Sequence, residues 1–152
     1  MKTKVILAPL LVLALIGGAL AGDKVWSDNY EKAKQEARKT GKYVFIDFSG
    51  SDWCGWCQKL DKEVLSQKTF LKFADDNLVL LNLDFPKFKK QNSALKEQNE
   101  KLLKQYSVQG FPTVILLSPK GDIVDQTGYR RGGAEKYVSY LEEVIYNYEN
   151  NK

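Results

Sequence analysis

The chain has 152 residues, 43% of them hydrophobic and 28% charged, which suits one soluble globular domain and is too short for two. Its net charge is +4, but the lysines are interspersed with acids, and this argues against a nucleic-acid-binding protein. Two cysteines and no histidine leave few ligands for a metal site.

The first 21 residues have the three-part plan of a secretory signal peptide. Two lysines precede an apolar run over 5–16, and an Ala-x-Ala cleavage site follows at 19–21. The alternative is an uncleaved membrane anchor, but the run is short against a span of ~20 residues and contains Pro9. We therefore expect a periplasmic or otherwise exported mature domain over 22–152. Its charge is +2 once the two lysines are lost, and it has no membrane association beyond the signal peptide.

The rest of the chain alternates between amphipathic stretches and short apolar runs rich in β-branched and aromatic residues. The first helix follows Ser27, a candidate N-cap, and stops at Gly41. The predicted elements in chain order are that helix, strand 43–48, helix 54–65 continued to 77, strand 78–84, helix 93–106, strands 113–117 and 123–127, and helix 134–148.

This order predicts an α/β fold with one mixed central sheet and helices on both faces. Strands that are followed by helices favour a parallel core sheet, and the short turn over 118–122 adds an antiparallel hairpin at the end. Everything after residue 21 is then one domain.

Cys54 and Cys57 are the only cysteines, and several kinds of site use a pair of cysteines. Zinc prefers four ligands, which this chain does not supply, and haem attachment requires a histidine where Gln58 stands. A purely structural disulfide gains little because the loop that it closes has only two intervening residues. The pattern therefore favours a reversible dithiol that needs no metal or cofactor.

The predicted position of Cys54 at the start of a helix supports redox chemistry. A helix N-terminus carries partial positive charge and unsatisfied N–H groups, which stabilise a thiolate. The thiolate is the species that attacks a disulfide. Cys57 lies about one turn further on, where it can resolve the mixed disulfide that Cys54 forms.

The motif FIDFSGSDWCGWCQKL, followed by GFPT at 110–113 and TGY at 127–129, resembles the thioredoxin superfamily. The likeness extends over about 25–148 and is greatest to exported thioredoxin-like proteins akin to the C-terminal domain of DsbD. It implies a thioredoxin fold and a thiol:disulfide oxidoreductase, whose partners are protein or peptide disulfides and a redox protein that supplies or accepts electrons.

The resemblance also implies a substrate-binding surface around the dithiol. Pro112 would be a cis-proline facing the cysteines, and the backbone of Phe111 would pair with the substrate chain. Trp53 would cover the site, and Gly55 and Trp56, between the cysteines, would face the partner. Without the cysteine motif, the residues before Pro112 would predict only a simple turn at the start of a strand.

Asp47 is an acid within an otherwise apolar strand, where burial is costly without a partner or a role. Relatives carry an acid nearby that exchanges protons with the second cysteine. This chain has one residue more between that acid and the first cysteine than thioredoxin has. The sequence is therefore as compatible with an exposed strand position for Asp47 as with a catalytic one.

Relatives that oxidise or isomerise disulfides often place a histidine between the cysteines, and this chain has Gly55 and Trp56 there. The sequence therefore favours a reductase. It also allows an isomerase or oxidase, or a binding or chaperone module without redox turnover. Segment 85–92, with three lysines and two phenylalanines, could contact an acidic partner, although a solvated loop is the commoner interpretation of such a cluster.

Overall fold

The computed structural model describes residues 26–151, so the predicted signal peptide lies outside the described residues. A four-stranded sheet forms the centre of the molecule, in the order β2-β1-β3-β4. The strands are β1 (Tyr43–Ser49), β2 (Leu78–Asp84), β3 (Thr113–Leu117) and β4 (Ile123–Thr127). The pairing is parallel between β1 and β2 and antiparallel in the other two ladders, which confirms the predicted mixed sheet.

The prediction of a parallel core sheet is wrong for β3. Ser49 at the end of β1 pairs with Asp84 at the end of β2, and Phe48 pairs with Thr113 at the start of β3. The connection over 85–112 therefore starts and finishes at the same end of the strands. For this reason β3 must run antiparallel to β1.

Helices cover both faces of the sheet, as the sequence predicts. Within residues 26–151 they are α1 (Tyr30–Thr40), α2 (Gly55–Leu60), α3 (Lys68–Asn77), α4 (Ser93–Gln105) and α5 (Gly133–Asn150), with a π-helical turn at Asp61–Leu65. No helix in this part of the chain is both long and apolar enough to cross a bilayer.

Alternate residues of the strands enter two separate hydrophobic cores. Phe45 and Leu116 pack with α2, α3 and α5, whereas Ile46 and Ile115 pack with α1 and α4 on the other face. All four side chains are at most 1% exposed, and burying each contributes about 1.5–3 kcal/mol. Both faces of the central strands are therefore fixed by packing.

The N-cap of α1 is Asn29, not Ser27. The backbone N–H and carbonyl of Ser27 bond to Leu80 and Asn82, so that Ser27 extends the sheet edge by one bridge and cannot begin the helix. Asn29 begins the helix instead, and its Oδ1 receives the N–H of Lys32 at 2.9 Å.

The predicted long helix after the cysteines is interrupted. The N–H of Ser66 bonds to the carbonyl of Asp61 at 2.9 Å, which is the wider π-type spacing, and the Ser66 hydroxyl also donates to the Asp61 carboxylate. Gln67 is then extended, with ψ of 140°, and α3 begins at Lys68.

Candidate active site

Cys54 is the N-cap of α2, at the end of the loop that follows β1. Its backbone is extended, with φ −89° and ψ 101°, and its sulfur receives the N–H of Cys57 at 3.2 Å. The two cysteines form a disulfide with their Cα atoms 5.3 Å apart. Cys54 therefore lies at the positive end of the helix, as the sequence predicts, and its sulfur already accepts a backbone hydrogen bond.

An aromatic cluster lies directly before the disulfide. Trp53 donates its indole N–H to the carbonyl of Phe85 at 2.8 Å, and its ring meets that of Phe111 edge to face at 5.8 Å. The ring of Phe111 also packs against that of Phe85 at 5.0 Å. These contacts bring together three separate loops, which follow β1, follow β2 and precede β3, at the same end of the strands.

The segment before β3 contributes Phe111 and Pro112, and the peptide bond between them is cis. Gly128, after β4, packs closely against this segment. A Cβ atom at Gly128 would lie 2.8 Å from the Pro112 carbonyl oxygen, closer than such atoms normally approach. The absence of a side chain at Gly128 thus lets the two backbones lie side by side.

Trp56 is 53% exposed and does not pack in the core. Its ring lies 5.3 Å from that of Tyr129, and the ammonium group of Lys59 lies within 5.1 and 5.3 Å of the two ring centroids. The Tyr129 hydroxyl donates to Glu63. Lys59 and Glu63 are not among the site residues predicted from the sequence, and this arrangement was missed. Only the helical spacing of residues 56, 59 and 63 could have indicated it.

Asp47 is buried, with 6% of its surface exposed, so the alternative of an exposed strand position is wrong. It lines a cavity of about 390 Å³ together with Cys57, Asn82 and Asp61. Asn82 is its direct neighbour in β2, and the Oδ1 atoms of both are buried without a hydrogen-bond partner in the described structure. The extra residue in the loop thus does not separate Asp47 from Cys57.

The electrostatics of this cavity make Asp47 a weak acid. Desolvation is the larger cause, and the negative charges of Asp61 and Asp84 add to it, raising the pKa of Asp47 to about 7. An acid with this pKa exchanges protons readily near neutral pH.

Asp52 has a structural role that the sequence did not reveal. Its carboxylate accepts the backbone N–H groups of Lys87, Phe88 and Lys89 at 2.8–2.9 Å. Partial desolvation opposes ionisation, but these hydrogen bonds outweigh it and hold the pKa of Asp52 below its ordinary value. Asp84 ties the same loops together by accepting from Ser51 at 2.7–2.8 Å.

The structure thus brings Trp53, Trp56 and Phe111 around the disulfide end of α2, and places Asp47 beneath it. Gly55 is exposed, with open space where a side chain would be. Within residues 26–151, no group of three or more Cys, Asp or Glu side chains is arranged to hold a metal ion.

Comparisons with known proteins agree with this geometry. The thioredoxin-like family model matches residues 25–119. The disulfide bond reductase DsbH of Chlamydia pneumoniae is 30% identical over 118 residues, which cover 78% of this chain and 71% of that protein. A solved DsbH oxidoreductase structure has a TM-score of 0.77 at 26% identity, covering 95% of this chain and 94% of that one.

The C-terminal domain of Neisseria meningitidis DsbD in its oxidised form shares the fold, with a TM-score of 0.55 at 20% identity over 74% of this chain and 90% of that one. The chain belongs to the thioredoxin-like family, which confirms the resemblance seen in the sequence. Within that family it is a thiol-disulfide oxidoreductase of the Dsb type, and Cys54–Cys57 is its redox disulfide.

Proposed function

We propose that the protein is an exported reductase of protein disulfides. The observation that carries this proposal is the Cys54–Cys57 disulfide at the N-terminus of α2, with no histidine anywhere in the chain. The helix terminus favours the Cys54 thiolate, but no imidazolium adds to that effect. A less stabilised thiolate makes the dithiol a better electron donor. The name of the 30% identical relative, a disulfide bond reductase, favours the same direction.

In the proposed reaction the Cys54 thiolate attacks one sulfur of the substrate disulfide. A Cys54–substrate disulfide forms, and the other substrate sulfur leaves as a thiolate that takes a proton from water. The Cys57 sulfur then loses its proton and attacks Cys54, which restores the Cys54–Cys57 disulfide and releases the second substrate thiolate. The substrate has gained two electrons, and the dithiol of a partner protein returns the enzyme to its reduced form.

Asp47 is proposed as the acceptor of the Cys57 proton. Both residues line the same cavity, and the raised pKa of Asp47 brings it within reach of proton exchange at neutral pH. The cavity has room for a water molecule, and the partnerless Oδ1 atoms of Asp47 and Asn82 offer it acceptors, so that a water could carry the proton. Proton transfer to Asp47 would make Cys57 nucleophilic when the mixed disulfide is in place.

The substrate chain is proposed to bind across the exposed surface around Cys54. Trp53, Gly55 and Trp56 supply the surface beside the sulfur, and the backbone of Phe111 pairs with the incoming chain ahead of Pro112. Trp56 projects into solvent and Trp53 is fixed by its bond to Phe85, so an aromatic wall flanks the approach to the disulfide.

Export is proposed from the signal-peptide pattern of residues 1–21. In the periplasm, an oxidising compartment, a reductase must receive electrons from a second redox protein. The proposed partners are therefore substrate proteins with disulfides and an electron-donating thiol protein.

The reduction potential tests the direction of the chemistry. Equilibration with glutathione, followed by the fluorescence of Trp53 and Trp56, should give a value below roughly −200 mV, on the scale where thioredoxin is near −270 mV and DsbA near −120 mV. The protein should also accelerate insulin reduction by dithiothreitol, and the Cys54→Ser variant should not. A potential near that of DsbA would refute a reductase, and no acceleration of insulin reduction would favour a binding module.

A further inference from the structure

The loop over residues 85–90 holds the ring of Phe88 in solvent. Phe88 is 81% exposed, more than Trp56 at 53% or Tyr146 at 66%. Large apolar rings are usually buried, and a single exposed one on a mobile loop would carry little information. The loop at Phe88, however, is fixed by specific hydrogen bonds.

The backbone that carries Phe88 is held by one carboxylate. Asp52 accepts the N–H groups of Lys87, Phe88 and Lys89 at 2.8–2.9 Å, so three successive residues are anchored to the loop before Cys54. A ring presented by an ordered backbone loses less conformational entropy on binding than one on a free loop. This is the arrangement expected of a preformed binding anchor.

The loop also contacts the redox site. The indole N–H of Trp53 donates to the carbonyl of Phe85, and the Lys87 ammonium group lies 3.7 Å from the centre of the Trp53 ring. Asp52 is two residues before Cys54. The loop that carries Phe88 is therefore bonded to the segment that precedes the Cys54–Cys57 disulfide. A substrate protein bound at the disulfide would extend past Phe88.

All the charged side chains of this loop are positive. Lys87, Lys89 and Lys90 lie within six residues that contain no acid, and none of the three forms an ion pair within residues 26–151. The nearby carboxylates of Asp52 and Asp84 are occupied by backbone and serine donors. The loop therefore carries an apolar ring and three positive charges that no carboxylate of the described residues pairs with.

We propose that the loop over 85–90 is a docking site for an acidic segment of a substrate protein, with an apolar side chain of that segment on Phe88 and its carboxylates facing the lysines. This inference rests on the proposed function, because it assigns the substrate class of the same redox site. An anionic membrane surface is the alternative. The loop offers a single apolar anchor beside a disulfide, which suits a protein segment better than a bilayer.

Binding can be measured without redox chemistry. The probe is a fluorescein-labelled peptide that imitates a substrate segment. It has serines at the two positions where the substrate would have cysteines, and it contains three flanking glutamates and one leucine. The comparison peptide has lysines in place of the glutamates. By fluorescence anisotropy, we expect the purified protein to bind the acidic peptide at least tenfold more tightly, with the difference shrinking as salt is raised.

The variants separate the anchor from the charges. Phe88→Ser should weaken binding about tenfold, which corresponds to about 1.4 kcal/mol, and Phe88→Leu should restore most of it. The double variant Lys89→Glu, Lys90→Glu should abolish the preference for the acidic peptide. The matched controls are Tyr146→Ser, which removes an exposed ring from α5, and Lys68→Glu with Lys72→Glu, which makes the same charge change on the exposed surface of α3.

Equal affinity for the two peptides, or equal losses in the control variants, would overturn the proposal. It is also overturned if the loop variants lose binding to phosphatidylglycerol vesicles while peptide binding is unchanged. The proposed function fails separately: a protein that binds the acidic peptide but reduces no disulfide supports the docking site and refutes the reductase. A protein that reduces disulfides without this preference refutes only the docking site.

Discussion

Replacing Asp47 by asparagine should make the oxidised protein more stable above neutral pH. Asp47 is 6% exposed and has a buried oxygen without a hydrogen-bond partner, so its ionised form is poorly solvated in the fold. Asparagine has nearly the same shape and no charge. The variant therefore removes the buried charge while it keeps the packing of β1 against α2.

The expected size follows from the pKa of Asp47, which burial raises from 3.8 to about 7. Between these values the folded protein keeps a proton that the unfolded chain has lost, so stability falls as pH rises. At 1.36 kcal/mol per pKa unit, the loss reaches about 4 kcal/mol above pH 7 and then levels off. Asp47→Asn should not show this loss, whatever fixed cost its own buried amide adds.

The measurement is urea unfolding of the oxidised protein and of Asp47→Asn from pH 4 to 8.5. The chain has no histidine, and the disulfide-bonded cysteines do not titrate. The other carboxyl groups are common to both proteins, so their titration near pH 4 cancels in the difference. The difference in the free energy of unfolding should grow by about 4 kcal/mol in favour of the variant. Asp76→Asn, an exposed change on α3, is the control. A difference that is flat to within about 1 kcal/mol would refute the reasoning.

Three further predictions concern other parts of the chain. Gly128→Ala places a Cβ 2.8 Å from the Pro112 carbonyl oxygen, so we expect urea unfolding to show a loss of about 1–3 kcal/mol; an unchanged midpoint would contradict the close packing. Cys57→Ser should accumulate mixed disulfides on non-reducing gels and Cys54→Ser should not, and the opposite result would reverse the proposed roles. Mass spectrometry of the exported protein should find Gly22 at its N-terminus, whereas an intact N-terminus in the membrane fraction would argue for an anchor.

Much of the fold could be predicted because local signals agree with the packing. The runs at β1 and β2 are apolar, and they form neighbouring strands of the sheet within a residue of the predicted bounds. The position of Cys54 at a helix start follows from the strand and loop before it. These features depend on residues that are close together in the chain, so the sequence shows them directly.

The direction of β3 and the contacts of Asp52 depend on residues far apart in the chain. The residues of β3 show its strand character, but only its pairing with β1 sets its direction. Asp52 bonds to amides 35–37 residues away, and backbone donors carry no signature in the sequence. The same holds for Asp47, whose burial depends on its neighbour Asn82 in β2 and on the cavity beside Cys57.

The burial of Asp47 makes the stability prediction and the proposed proton transfer two consequences of one feature. Ionisation of the Asp47 carboxyl lowers the stability of the fold by about 4 kcal/mol, and one of its oxygens has no hydrogen-bond partner. For packing alone, asparagine would serve as well. Perturbed groups of this kind concentrate at functional sites, and here the cavity is shared with Cys57. Asp47→Asn should therefore gain stability above pH 7 and also slow the attack of Cys57 on the mixed disulfide, which stopped-flow fluorescence can follow. A variant that is more stable and resolves the mixed disulfide at the original rate would show that Asp47 is buried without accepting the proton.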